Sequence, residues 1–217
     1  MKSIPGARKI DLSCDPRRDH FAYFSTMAYP YVGLTAQVDI SPIVGFRQRT
    51  GAPFFLTLLY CVGRAANSVP QLRQRIVEGE VWEFGACLSS FTVAKPDETY
   101  AYCPVRTDLP FDVYLTQARA KQKAAQEGGN IEESPEEALS CYFISSLPWM
   151  GYTALVQPVP SPADSNPRIT WGKAEMQDGR LKLPLSLLCH HALVDGLHIA
   201  RFYQALDREL ARLDLSE

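Results

Sequence analysis

Leu187-Leu188-Cys189-His190-His191-Ala192-Leu193-Val194-Asp195-Gly196 joins the end of an apolar run to paired histidines, an aspartate and a glycine. Upstream, Leu181, Leu183, Leu185 and Leu187 recur at period two, which puts them on one face of a strand. Gln177-Asp178-Gly179-Arg180 before it is a hairpin signal, returning the chain from a strand expected over 169–176. Downstream, Ile199, Phe202, Tyr203, Leu206, Leu210 and Leu213 form the apolar stripe of a closing amphipathic helix. The quoted stretch is therefore a strand-to-helix junction. Neighbouring side chains on a strand point to opposite faces, so only one of His190 and His191 faces a given cleft. Pro184 has no backbone donor, which places this strand at a sheet edge or beside a bulge.

The rest of the chain mixes short helices with strands. Asp15 and Pro16 open a helix running to about Phe24, with Asp15 able to accept from its first amides. Val32, Leu34, Ala36, Val38 and Ile40 alternate as a strand, and Ser41-Pro42 opens another helix. Phe55, Leu58, Leu59, Val62, Ala65 and Ala66 mark a core-facing helix that Pro70 ends. Glu78-Gly79-Glu80 turns a hairpin over 75–84, and strands are expected over 87–94 and 99–105. A helix over 110–127 closes at Gly128-Gly129-Asn130, followed by a short acidic helical turn over 132–138. Two apolar runs, 141–145 and 152–156, flank a Pro- and Gly-containing break, and four prolines make 157–167 a surface loop. This order predicts an α+β fold.

A chain of 217 residues suits a single domain, taken here as 1–217, and 46% apolar with 21% charged residues is an ordinary globular composition. A net charge of -2 with scattered basic residues gives no electrostatic footprint for nucleic acid. Met1 to Lys9 lacks the apolar core of a secretory signal and no window approaches a membrane span, so the expected location is cytoplasmic. Cysteines 14, 61, 87, 103, 141 and 189 have no Cys-x-x-Cys spacing and are read as reduced thiols. No metal is expected, because histidine pairs in zinc sites use a helical i, i+4 spacing or distant partners.

Three of the four histidines, His190, His191 and His198, fall within nine positions. Histidine exchanges protons near neutral pH, and a positioned one contributes roughly 10²–10⁴ in rate as a general base. Asp195 could orient that imidazole or cap the final helix.

These residues carry a resemblance. His190-His191-Ala192-Leu193-Val194-Asp195-Gly196 resembles the His-His-x-x-x-Asp-Gly signature of coenzyme A-dependent acyltransferases. Arg17-Arg18-Asp19-His20-Phe21, Ile144-Ser145-Ser146-Leu147-Pro148-Trp149, Thr170-Trp171-Gly172-Lys173, Leu183-Pro184-Leu185 and His198-Ile199-Ala200-Arg201-Phe202 extend it to the type A chloramphenicol acetyltransferase family over nearly the whole chain. The resemblance implies a two-layer sandwich with a mixed, largely antiparallel sheet packed by helices. It implies O-acetyl transfer from acetyl-CoA to a hydroxyl, most readily that of chloramphenicol, by direct attack in a ternary complex, and an antibiotic-resistance role. It also implies a homotrimer with its sites at subunit interfaces. His191 is then the general base. Ser145 is the oxyanion donor and Thr170 assists through a water. Asp195 and Arg17 brace the site, the imidazole being held by its own backbone carbonyl, and Trp149 and Lys173 touch coenzyme A.

Several positions depart from the family pattern. In the acceptor pocket Phe24 replaces a tyrosine, Val32 and Tyr100 replace phenylalanines, and Gln157 replaces an apolar wall residue. Pro53-Phe54-Phe55 stands where a Lys-Phe-Tyr run helps hold the cofactor. Acetylation of a different small hydroxyl compound, a catalytically lapsed ligand-binding trimer and a dihydrolipoyl acyltransferase domain are the alternatives.

Overall fold

The computed structural model describes residues 3–132 and 134–215. Met1 and Lys2 of the segment read for a leader, Glu133 of the acidic turn, and the last two residues of the expected domain lie outside them. In chain order the elements are β1 (Ala7–Ile10), α1 (Arg18–Phe24), β2 (Tyr31–Asp39), α2 (Ser41–Thr50), α3 (Phe54–Asn67) and a 3₁₀ turn (Pro70–Arg73). Then come β3 (Gln74–Val77), β4 (Glu80–Phe84), β5 (Leu88–Ala94), β6 (Tyr100–Val105), α4 (Phe111–Gly128) and α5 (Pro135–Leu139). The chain ends with β7 (Cys141–Leu147), β8 (Arg168–Gly172), β9 (Glu175–Gln177), β10 (Arg180–His190) and α6 (Gly196–Leu215).

The main sheet runs β2-β10-β8-β7-β5-β6, with β9 also paired to β10, and a smaller sheet runs β1-β4-β3. Among the described residues only β5–β7 and β7–β8 are parallel, and α4 lies in the crossover that joins β6 to β7. The fold is α+β, a mixed, largely antiparallel sheet packed by helices.

Register gives the sheet two unlike faces. Cys103, Phe91, Ile144, Ile169 and Leu187 pair in one row across five strands, all buried in the core under the helices. One residue along, Thr35, Ser186, Thr170 and Ser145 pair in an adjacent row. Side chains alternate along a strand, so this hydroxyl row faces away from the apolar one. On the core side α3 buries Leu56, Leu58, Leu59, Val62, Ala65 and Ala66, while Phe55 at the end of its stripe lies against the rings of Phe91 and Trp171.

Four local expectations change. Strand β10 is an interior strand, so Pro184 marks a bulge and not an edge. Leu185 faces Trp171 but Lys182 faces Glu175, which leaves one extra residue on the opposite side and divides the expected 169–176 strand into β8 and β9. Helix α1 starts at Arg18, because the Asp15 carboxylate takes the Arg17 amide (2.7 Å) in a turn ahead of the helix. Residues 152–156 form no strand, and the segment is held by a side chain instead, the Tyr152 phenol donating to the Thr170 carbonyl (2.7 Å). Strand β1, too short to show a period, was not expected and pairs with β4.

Gly63 lets α3 approach the sheet: a Cβ there would lie 2.3 Å from Thr107 Oγ1 and 2.5 Å from Ser89 Oγ. Gly45 in α2 meets only the flexible end of Arg49, at 3.4 Å. Gly63→Ala should destabilise by about 1–3 kcal/mol through overpacking. Gly45→Ala should stabilise by about 0.5–1 kcal/mol through helix propensity. Denaturant midpoints at constant slope check the opposite signs.

Candidate active site

The junction after β10 is pinned at several points. The His191 amide donates to Pro30 O (2.7 Å), and the Leu193 and Val194 amides both donate to His190 O (3.1 Å each). Asp195 then caps α6: its Oδ1 accepts from the Leu197 amide (3.0 Å) and its carbonyl from the His198 and Ile199 amides. This geometry fixes the His191 ring. Its Nδ1 lies 2.9 Å from Val194 O, and a carbonyl can only accept, so Nδ1–H is the donor and in the neutral ring the lone pair lies on Nε2. The carbonyl is that of Val194, three residues on, where the ring's own carbonyl was expected. The Phe24 ring stacks on the imidazole, centroids 3.7 Å apart and planes within 15°.

His190 has a different environment. It is buried, its Nδ1 accepts from the Ala192 amide (3.3 Å), and Tyr31 meets it edge-on. Burial pushes its pKa below the ordinary histidine value, although the Asp164 carboxylate opposes this.

Asp195 does not touch His191. Arg17 donates to its Oδ2, and His198 Nδ1 lies 2.9 Å from its Oδ1. Burial works to raise the Asp195 pKa, but the Arg17 hydrogen bond and the His198 and Arg17 charges outweigh it and hold the carboxyl below its usual range.

The hydroxyl row lies along the strands from this junction. From Ser186 to His190, β10 extends about 13 Å at a strand's rise per residue. Thr35 Oγ1 and Ser186 Oγ are 2.7 Å apart, and Ser186 donates to the Tyr152 phenol (3.2 Å), which itself donates to Thr170 O. Thr170 Oγ1 donates to Gln157 Oε1 at 3.4 Å. Tyr152 thus ties down one end of the 148–167 loop, and the two-pronged Arg168–Asp164 pair (2.8 and 2.9 Å) holds the other.

Two cavities meet at Ser145. The smaller, about 470 Å³, is bounded by Thr92, Tyr100, Phe143, Gln157 and Arg168 among others. The larger, about 860 Å³, runs past Phe55, Lys95, Tyr100, Gln126 and Trp149. Ser145, Tyr100 and Thr92 line both. His191, Phe24 and Val32 line neither, nor does Lys173, which sits at the surface 3.9 Å from Glu175. The chain therefore carries two clusters: His191 with Phe24, braced by Arg17 and Asp195, and Ser145 with Tyr100, Gln157 and Trp149. Lys95, Tyr152 and Ser186 were not singled out from sequence. Ser186, a lone hydroxyl between Leu185 and Leu187, was the one with a readable signal.

The family model described as chloramphenicol acetyltransferase matches residues 7–207. The chain belongs to this family. Its members are acetyl-CoA-dependent acyltransferases, and the chain is an enzyme of that class. Among its relatives, chloramphenicol acetyltransferase 3 of Escherichia coli is 29% identical over 203 residues, covering 91% of this chain and 94% of the relative. Chloramphenicol acetyltransferase 2 of Haemophilus influenzae is 29% identical over 207 residues, with the same coverage. A solved chloramphenicol acetyltransferase superposes with a TM-score of 0.86 at 26% identity, covering 97% of this chain and all of that one. The Azotobacter vinelandii dihydrolipoamide acetyltransferase shares the fold at a TM-score of 0.65 and 24% identity, covering 91% of this chain and 89% of that one. In this family member no helix among the described residues is long and apolar enough to cross a membrane.

Arg17→Ala and Asp195→Ala should each destabilise by about 1–2 kcal/mol, from a lost ion pair and, for Asp195, a lost cap. The Asp195 carboxyl has a lower pKa folded than unfolded, so its contribution is complete above the unfolded value, about 3.9, and is lost as pH falls through the folded one. Stability measured from pH 7 downward should show the wild-type advantage over Asp195→Ala shrinking below about pH 4.

Proposed function

We propose that this enzyme moves the acetyl group of acetyl-CoA to a hydroxyl of a small molecule, chloramphenicol among those accepted, by direct attack in a ternary complex. The observation that carries the reading is the tautomer of His191, whose Nδ1–H is held by Val194 O and whose Nε2 is left basic. In this mechanism Nε2 takes the acceptor's hydroxyl proton as the oxygen attacks the thioester carbonyl. The carbonyl oxygen becomes an oxyanion that accepts a hydrogen bond from Ser145, with Thr170 assisting through a water. The intermediate collapses with cleavage of the C–S bond, and His191 returns the proton to the departing sulfur. No acyl-enzyme forms. Asp195 and Arg17 brace the junction and take no proton.

The larger cavity suits the donor. It is long, has aromatic walls at Phe55 and Trp149 for the pantetheine arm, and carries the Lys95 cation, which suits phosphates. Trp149 and Lys173 are proposed coenzyme A contacts, with Lys173 reaching the ligand from outside the cavity. The smaller cavity, with Tyr100 and Gln157, receives the acceptor. Phe24 and Val32 complete the acceptor pocket from the His191 side. That the base and the oxyanion donor belong to separate clusters of one protomer supports a homotrimer in which each site takes His191 from one subunit and Ser145 from the next.

Thiol release from acetyl-CoA, with and without chloramphenicol, tests the reaction. His191→Ala should lower turnover by about 10²–10⁴ and Ser145→Ala by about 10²–10³. Wild-type binding of ligand without release would support the lapsed-binder alternative instead. The shared site has its own test. Inactive His191→Ala and Ser145→Ala chains, mixed in equal amounts, denatured and refolded together, should recover about one quarter of wild-type activity. Random assembly brings both intact residues to about one site in four. No recovery would place the whole site within one subunit.

A further inference from the structure

The wall of the smaller cavity sets a few polar groups and one paired cation, Arg168, in a mostly apolar lining. Gln157 lines the cavity and accepts from the Thr170 hydroxyl through its Oε1 (3.4 Å), so the NH2 group of the same amide remains as a donor. Tyr100, 48% exposed, lines both cavities and carries a phenol. Thr92 adds a hydroxyl beside it. Phe143 and Val159 supply apolar surface for a carbon skeleton.

Arg168 is the charged residue of this lining among the described residues. Its terminal nitrogens are both taken by Asp164, its guanidinium lies 5.5 Å over the Phe143 ring, and it is buried. An anionic acceptor would find no uncommitted cation here. A mostly apolar acceptor would strip water from Gln157, Tyr100 and Thr92 without replacing those hydrogen bonds, and a site built to pair polar groups discriminates strongly against ligands that lack them.

Resting on the acetyl-transfer reading above, we propose that the cavity selects a neutral, polyhydroxylated acceptor of the glycoside or polyol class over an aryl amide such as chloramphenicol. Gln157 and Tyr100 read oxygens other than the one acetylated. The chemistry is the same transfer: one acceptor O–H becomes an acetyl ester and coenzyme A leaves as the thiol.

The test measures thiol release from acetyl-CoA by the full chain with three acceptor types: a panel of 4-nitrophenyl hexosides, the matching 4-nitrophenyl glucuronide, and chloramphenicol. The best hexoside should exceed chloramphenicol in kcat/KM by at least about tenfold and the glucuronide by about a hundredfold. In the Gln157→Leu/Tyr100→Phe double variant the hexoside should lose about tenfold or more and chloramphenicol should gain, with an unchanged circular-dichroism spectrum and oligomeric state as evidence of an intact fold. Chloramphenicol ahead of every hexoside in the wild type, or an acceptor order the double variant leaves unaltered, overturns the proposal while the transferase reading stands. Absence of thiol release with any acceptor overturns both.

Discussion

Both faces of the molecule depend on the pairing of β10 between β2 on one side and β8 and β9 on the other. In this register Leu183, Leu185 and Leu187 enter the core at 1% exposure or less, and Ser186 falls into line with Thr35 and Thr170 on the opposite face. Each buried leucine contributes about 1.5–3 kcal/mol relative to an exposed one. A slip of one residue would reverse all of them, so the hydrophobic core fixes where the hydroxyl row lies. The same strand ends at His190. The core therefore sets the position of the proposed base as well as that of the hydroxyls, which keeps a chemical site on rigid elements.

The junction shows how one histidine of an adjacent pair is made suitable for proton transfer. His190 is buried with its Nδ1 occupied by a backbone amide, and burial disfavours its charged form. His191 has its Nδ1 proton fixed by Val194 O and a phenylalanine across its face. Asp195 works one step removed: it caps α6 and receives Arg17, holding the turn that brings Val194 O to the imidazole. Within this chloramphenicol acetyltransferase family member the junction needs no aspartate on the imidazole to set the tautomer.

The 148–167 loop is the part of the structure where backbone pattern says least and side chains say most. It has no regular pairing, yet Tyr152 anchors it to Thr170 and Ser186, and Asp164 ties its far end to Arg168 and to the Tyr31 phenol. Between those anchors Gln157 reaches the smaller cavity. A loop held at both ends can present a precise polar group without a strand or helix beneath it.

The sequence by itself determined the strand-to-helix junction, the period-two leucines, the core stripe of α3 and the two-residue turn at Asp178-Gly179. These are local, set by side-chain periodicity and by backbone angles that few residue types tolerate. It also determined the family, through motifs spaced along nearly the whole chain. Only the tertiary structure decided that Pro184 lies at a bulge in an interior strand, because a missing donor is compatible with either an edge or a gap until the neighbours are known. Only the fold brought Ser145, Thr170 and Ser186 into one row and put Ser145 on both cavities while His191 lines neither. Those relations join residues tens of positions apart through sheet register, which is a property of strand pairing and not of any segment alone.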